Sequence, residues 1–292
     1  MITAAKVKEL RERTGAGMME CKKALEKCKG DIALAITELR KAGKAKADKR
    51  AGRIAAEGAV VIHLTPDEKQ AVMVEVNSET DFVSRDANFL EYVNQVAAVA
   101  LESGERNIEN LLEKCVSDSQ HTLEELRQNL ITKVGENIQI RRIAWSQPAE
   151  TVATYVHGNR IGVMVGLDVD NKELARDIAM HVAASKPMVV SPENVSSDIF
   201  EKEKEVYLAQ AATSGKPTEI VEKMVQGRLK KYLDEVSLLG QSFVKDPTLT
   251  VGALLNKHRA KVLAFTRFEV GEGLEKSSED FAEAVMSQVQ NG

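Results

Sequence analysis

Aromatic residues are scarce, at 4% of 292 positions with a single tryptophan. So few rings argue against a β-sandwich core and against a row of base-stacking platforms. Three cysteines, Cys21, Cys28 and Cys115, are too few for a disulfide framework and point to a reducing compartment. No apolar run approaches the roughly 18–20 residues of a membrane span. The first ten residues, MITAAKVKEL, hold no apolar stretch of the kind a secretion signal needs. The expectation is a cytoplasmic chain without membrane contact. Neither sign of charge dominates, the formal balance being −4. What is present is 43% hydrophobic and 29% charged residues, which excludes a mostly disordered chain. The richness in Ala, Glu, Lys and Leu favours helices. At about 150 residues per domain, the length suggests two domains.

Charge is unevenly spread. Residues 1–57 carry 15 basic and 8 acidic side chains, and the acidic excess lies beyond them. The basic excess peaks at Arg40, Lys41, Lys44, Lys46, Lys49, Arg50 and Arg53, opposed there only by Asp48. Such a run can bind RNA or an acidic protein surface, or it can be a solvated helical linker. No aromatic interleaves it, so RNA contact is not expected.

Residues 3–43 read as three short helices. Thr3 is placed to cap the first, with Ile2 and Val7 as a hydrophobic staple. Met18, Met19, Cys21, Ala24, Leu25 and Cys28 make the second pattern. Asp31 caps a third, with Ile32, Ala35, Ile36 and Leu39 inward. Forty residues bury little, so this module is marginal alone. From Gly58 the period changes. Ala59–Leu64 and Ala71–Val76 are β-rich runs around a turn at 65–69. A helix follows with Phe89, Val93, Val96, Ala97 and Ala100 on one face. Thr122 and Glu125 start another, and Ile138–Trp145 reads as a returning strand. The order then repeats: strands Val152–Val156 and Ile161–Val169, a helix bearing Leu174, Ile178, Val182 and Ser185, and a return strand delayed to Ala260–Val270. The delay holds an insertion near 192–236. It reads as two helical stretches, with Val195, Ile199 and Val206, then Ile220, Met224 and Leu233, around the turn at 213–217. The short joint implies an antiparallel hairpin that braces the core or grips a partner. A last helix is expected to carry Phe281, Val285 and Val289.

A search for chemistry finds little. The histidines at 63, 121, 157, 181 and 258 show neither HExxH nor His-x-His spacing. Cys21 and Cys28 share a helix face, but zinc needs two more ligands at suitable spacing, so both read as structural. GxSxG is absent, as is GxGxxG after a strand. Gly215-Lys216 resembles the end of a phosphate loop, but Gln210 stands where Gly is required. No metal, cofactor or direct nucleotide site is expected, and the chain is not expected to be an enzyme. One segment resists a packing explanation: Asn77-Ser78-Glu79-Thr80-Asp81-Phe82-Val83-Ser84-Arg85. Thr80, Ser84 and Asp86 are candidate local caps. Residue types alone place Phe82 facing the core. An RNA-binding protein and an enzyme with an unrecognised site stay open as rival classes.

The segment Leu10-Arg11-Glu12-Arg13-Thr14-Gly15-Ala16-Gly17-Met18-Met19-Glu20-Cys21-Lys22-Lys23-Ala24-Leu25 resembles the N-terminal signature of bacterial translation elongation factor Ts. Val76-Asn77-Ser78-Glu79-Thr80-Asp81-Phe82-Val83 resembles its second signature. Gly135-Glu136-Asn137-Ile138, the stretch His157–Val163, His181–Pro187 and Arg267–Gly273 add supporting blocks in order along the chain. Ser78 departs from the cysteine of that pattern, which argues against thiol chemistry there. The insertion matches the longer form of the family.

The resemblance implies a guanine-nucleotide exchange factor for the GTPase elongation factor Tu, with no covalent chemistry of its own. It implies an α+β fold. A ubiquitin-associated-like three-helix module and basic linker would occupy 1–54. A duplicated α+β core with small antiparallel sheets would occupy 55–147, then 148–191 with 237–270. The helical hairpin would be 192–236, and a C-terminal helical module 271–292. Family Asp and Phe side chains enter the partner near its Mg²⁺ site, and these carry over to Asp81 and Phe82, with Thr80 and Val83 fixing the turn. Further partner contacts carry over to Met18, Met19, Gly135, Tyr155 and His157.

Overall fold

A computed structural model describes residues 2–117, 121–212 and 217–274. The fold is mixed α+β, with three small sheets among the described residues. Two units divide it. The first holds the described residues of 2–61, 74–143 and 269–274, and the second those of 62–73 and 144–268.

In the first unit, helices α1 (Ala4–Thr14), α2 (Met18–Lys27) and α3 (Ile32–Arg50) start where the sequence offers caps. Thr3 Oγ1 accepts from the Lys6 N–H at 3.3 Å, and Asp31 from the Leu34 N–H at 3.0 Å. Val7, Leu10, Cys21, Ala24, Leu25 and Ala35 form their core, edged by Ile2, Cys28, Ile32, Ile36 and Leu39. Burial pushes the Cys21 thiol up from its ordinary pKa, against its contact with the Thr14 hydroxyl, so it is a packing group and not a nucleophile. Strands β1 (Glu57–Leu64) and β2 (Ala71–Ser78) follow; their ends at 62–64 and 71–73, and the turn at 65–70 in which the Thr65 N–H donates to Gln70 O at 2.8 Å, belong to the second unit. After the four-residue helix α4 (Asp81–Ser84), Asp86 caps α5 (Ala87–Ser103). The α5 face set by periodicity, Phe89, Val93, Val96, Ala97 and Ala100, is buried. Then come the short α6 (Ile108–Leu112), α7 (Leu123–Val134) and the return strand β3 (Gln139–Trp145). The strands pair in the order β1-β2-β3.

The third helix departs from expectation: it does not stop near residue 43 but runs to Arg50. The cause is packing against α7. Gly43 and Ala47 are buried, and a Cβ on Gly43 would stand 3.7 Å from Thr132 Oγ1. The basic run is therefore helical up to Arg50 rather than a linker, and part of it is paired with acids of the same unit. Arg40 pairs with Glu125 at 3.2 Å, Lys46 with Glu20, and Arg53 with Glu79 at 3.4 Å. Each such exposed pair contributes only about 0–1 kcal/mol, so they orient the helix while the close small-residue contact holds it.

One buried polar group organises the first unit. Glu75 is fully buried on β2. Its carboxylate meets Arg141 Nη1 at 3.1 Å, Arg142 Nε, and the Gly271 N–H at 2.9 Å. Arg142 Nη2 also donates to Glu269 O at 3.0 Å, and Arg141 Nη2 to Glu272 O. Gly271 has φ 74° and approaches so closely that a Cβ would lie 2.2 Å from Ala56 O.

In the second unit, β4 (Thr151–His157) and β5 (Ile161–Leu167) pair antiparallel, Thr151 opposite Leu167 and His157 opposite Ile161. Helix α8 (Lys172–Ser185) is capped by Asn171, which accepts from the Leu174 N–H at 3.1 Å. A 3-10 turn at Pro192–Asn194 precedes α9 (Ser197–Ala212) and α10 (Thr218–Val236). Short strands β6 (Ser242–Phe243) and β7 (Asp246–Thr250), helix α11 (Val251–Lys257) and strand β8 (Val262–Glu269) complete it. The order β4-β5-β8 repeats the edge, centre and return arrangement of β1-β2-β3. Val163, Val165, Leu167, Ile178, Val182 and Leu238 lie in its core.

Two helix faces need correction. On α8, Leu174, Ile178 and Val182 are buried, but Ser185 is exposed and His181 takes the inward place. In the α9–α10 pair, Val206 and Ile220 are exposed. The buried seam is Ala211, Val225 and Leu229, with Phe200, Tyr207 and Val221 against it. Apolar residues on α9 lie on more than one stripe, and the partner helix selects which stripe is covered. The base of the pair is pinned where Met188 N–H donates to Val236 O at 2.8 Å and Leu238 N–H to Val189 O at 2.9 Å. The turn at 213–216 and the helix expected around Phe281, Val285 and Val289 lie outside the described residues.

Two measurements check these packing arguments. Glu75→Ala removes the buried anion shared by Arg141 and Arg142, leaving Arg142 the longer pair with Glu272 at 3.6 Å, so urea unfolding should show a loss of about 3–5 kcal/mol. His181 accepts from the Val244 N–H through Nδ1 at 3.2 Å, which puts its proton on Nε2, 3.0 Å from Gln241 Oε1. Burial lowers its pKa, and the Gln241 hydrogen bond only partly opposes that. Below the ordinary value of about 6.5 the unfolded chain therefore takes up a proton that the folded chain refuses. The stability His181 supplies is full above that pH and is lost as pH falls toward the lower folded value. The advantage of the natural chain over His181→Gln in urea midpoint should shrink between about pH 7 and pH 5.

Candidate functional site

The segment that resisted a packing explanation is a one-turn helix on a polar pedestal. Thr80 is the N-cap of α4: its Oγ1 accepts from the Val83 N–H at 3.4 Å. Asp86, two residues beyond α4, caps α5, and its carboxyl is held below its usual range by a hydrogen bond from the Asn88 side chain and by the Asn88 and Phe89 N–H groups. Ser84 does not cap; its Oγ donates to Asp81 O at 2.8 Å. Val83 and Ser84 point inward and are buried.

The pedestal is made by two acids that the residue pattern did not single out. Glu136 accepts from the Thr80 N–H at 3.0 Å and from Thr80 Oγ1 at 2.7 Å. Glu79 accepts from the Asn137 N–H at 2.6 Å. The two chain segments are thus strapped reciprocally, each supplying a carboxylate to a backbone N–H of the other. Asn137, itself buried, donates from Nδ2 to Arg53 O at 2.9 Å. The available signal was an acid directly after Gly135, which closes α7 in the left-handed region at φ 83°.

On this base Phe82 is 84% exposed. The core-facing reading of Phe82 is therefore wrong. With Val83 and Ser84 buried, the helical turn carries the preceding side chain outward. Asp81 stands beside it and pairs with Arg85 at 2.9 Å, one turn along. What the turn presents is an apolar ring next to a carboxylate, both on a fixed backbone.

The other expected contact residues are distributed. Met18 and Met19 open α2 at 59% and 63% exposure. Met18 lines a cleft of about 1070 Å³ between the N-terminal helices and α7, bordered also by Lys23, Lys44, Glu20 and Glu125. Gly135 adjoins the pedestal. Tyr155 and His157 lie in the second unit on β4, with ring centroids 6.3 Å apart and Tyr155 Oη 3.3 Å from His157 Nδ1. The structure therefore brings Thr80, Asp81, Phe82, Val83 and Gly135 together in the first unit, and Tyr155 with His157 in the second. Among the described residues, no three His, Cys, Asp or Glu side chains are grouped to hold a metal ion. No helix of the described residues is long and apolar enough to cross a membrane.

The family model for Elongation factor TS matches residues 79–272, a stretch that opens at Glu79 and contains the whole pedestal. The chain is 56% identical to the Elongation factor Ts of Legionella pneumophila subsp. pneumophila (strain Philadelphia 1), over 99% of this chain and 98% of that protein. It is 55% identical to the Elongation factor Ts of Thioalkalivibrio sulfidiphilus, over 98% of each chain. The Elongation factor Ts of Coxiella burnetii (strain RSA 493) is also 55% identical, over 99% of this chain and 98% of that one.

The exposure of Phe82 sets an expected stability. Truncating a core phenylalanine costs about 3–5 kcal/mol. Phe82→Ala should instead leave the urea unfolding free energy within about 0.5 kcal/mol of the natural chain. A drop of the larger size would return the ring to the core.

Proposed function

The chain belongs to the elongation factor Ts family, and from that premise we propose that it is a guanine-nucleotide exchange factor acting on the GTPase elongation factor Tu in the cytoplasm. A GTPase holds GDP through backbone N–H groups at a helix N-terminus and through Mg²⁺ on the phosphates. An exchange factor does no covalent chemistry. It binds the nucleotide-free state better than the GDP state, and the coupling is reciprocal. A 10⁴-fold weakening of GDP requires about 5.5 kcal/mol of differential contact, more than one side chain supplies.

The observation that carries this reading is an 84%-exposed Phe82 beside Asp81 on a braced turn. Phe82 acts as the wedge. Asp81 puts negative charge beside the loop that holds Mg²⁺ and displaces that loop. Thr80 and Val83 keep the turn in shape. Exposed Met18 and Met19, on a three-helix module of the ubiquitin-associated type, grip the GTP-binding domain together with Gly135. The α9–α10 pair is the projecting hairpin of the division at 1–54, 55–147, 148–191 with 237–270, 192–236 and 271–292. Tyr155 and His157 hold another domain of the GTPase. RNA is not part of this reading, because Arg40, Lys46 and Arg53 of the basic run are engaged by acids of the same chain. The cell's ratio of GTP to GDP sets the direction.

The test is release of labelled GDP from elongation factor Tu with and without the chain. The natural chain should accelerate release by orders of magnitude. Phe82→Ala should lose most of that acceleration while still folding. Asp81→Ala should lose a part that depends on salt and Mg²⁺, since its contribution is electrostatic. The pair should not add, because both act through one turn. Unchanged GDP release by folded Phe82→Ala would sink the reading.

A further inference from the structure

We propose that Glu136 is a positioning residue for exchange: its carboxylate holds the α4 turn in the one conformation that presents Asp81 and Phe82. The proposal rests on the exchange reading of the turn. Four residues make too little helix to persist by their own hydrogen bonds, because nucleation is unfavourable. The bonds that hold α4 must therefore come from outside it. Thr80 gives its N–H to Glu136 at 3.0 Å and its hydroxyl proton at 2.7 Å. With that proton committed, the Thr80 hydroxyl oxygen faces the Val83 N–H and serves as the cap. Glu136 thus orients the N-cap, and the N-cap sets where the next two side chains point.

The strap has a second half that separates its role from simple folding. Glu79 accepts from the Asn137 N–H at 2.6 Å and from Arg53 at 3.4 Å. Buried Asn137 is further tied to Arg53 O. These bonds fix the 79/137 junction without Glu136. Removing the Glu136 carboxylate therefore leaves Thr80 with only the Ser78 Oγ bond to its carbonyl, at 3.0 Å, from before the turn, and leaves the junction beneath it in place. Glu136 also follows Gly135 directly, so any partner contact at Gly135 bears on the residue that aims the wedge.

The experiment is labelled-GDP release from the GTPase at rising concentrations of full-length factor, with urea unfolding on the same samples. Glu136→Ala should lower the maximal rate at saturating factor about tenfold, the size expected from losing charge-assisted hydrogen bonds. Glu136→Gln, which keeps one acceptor, should fall between. Glu136→Ala combined with Thr80→Val should be no slower than the slower single variant. Backbone amide exchange should quicken at Asp81–Val83 and stay unchanged in α5. A purely structural role would act differently. It would reduce the folded fraction, and more factor would restore the natural maximal rate. That outcome overturns the proposal, as does a natural maximal rate in Glu136→Ala. If Glu136→Ala does not fold, Glu136→Gln carries the same test: a natural maximal rate with unchanged Asp81–Val83 amide exchange overturns the proposal. Phe82→Ala in the same assay separates the two levels. Slow release with Phe82→Ala and normal release with Glu136→Ala removes Glu136 alone, whereas normal release with Phe82→Ala removes the wedge and its positioning together.

Discussion

The carboxylate of Glu75 is the constraint on which the first unit depends. Taking a charge fully out of water costs several kcal/mol, and only nearby opposite charge with satisfied hydrogen bonds offsets it. Here two guanidinium groups, the Asn77 side-chain amide and one backbone N–H converge on the two oxygens. Two further arginine bonds go to Glu269 O and Glu272 O, which ties the cluster to the chain on that side. The consequence is geometric. Residue 75, residues 141–142 and residues 269–272 are held against each other although they are far apart in sequence. Gly271 brings residue 56 into the same junction, at a spacing that admits no side chain.

From that junction the exposed turn at 80–83 follows. Strand β2 leaves the Glu75 clamp and reaches Glu79 four residues on. Strand β3 enters it from Asn137 four residues before Arg141. The clamp therefore delivers the 79–80 and 136–137 segments side by side, and the two carboxylates cross between them. A buried charge held by several donors resists rearrangement, because each alternative leaves it short of a partner. The rigidity of the exposed turn is thus inherited from a buried charge that does not touch the surface.

Local chemistry was legible in the sequence where one residue decides one bond. Thr3, Asp31 and Thr122 cap the helices expected of them, and both hairpins and both return strands lie where the period changed. What was not legible depended on a distant partner. Strand β2 is buried at every position, so it shows no alternation from which to read the direction of the residues that follow. Phe82 was misassigned for that reason. Helix α3 ran past its expected end because α7, some eighty residues on, covers Gly43 and Ala47. The α9 face was misread because the covering helix chooses among stripes. Glu79 and Glu136 were passed over because a surface acid and a pedestal acid look alike until the backbone N–H groups opposite them are placed.

Exposure and rigidity are connected by free energy. Ordering a residue's backbone costs roughly 1–2 kcal/mol. A floppy turn of four residues would then lose roughly 4–8 kcal/mol on engaging a partner. That is the size of the whole differential contact, about 5.5 kcal/mol, that a 10⁴-fold coupling demands. A wedge on a mobile loop would therefore use its contact energy to order itself, leaving little to distinguish one state of the partner from another. Caps, straps and the buried clamp move that cost into the folding of the chain, where it is met before any partner arrives. The exposed ring then adds little conformational loss of its own, since a phenylalanine has only two side-chain torsions to fix. An apolar side chain at 84% exposure is thus compatible with a stable fold, because the stability resides in the groups beneath it.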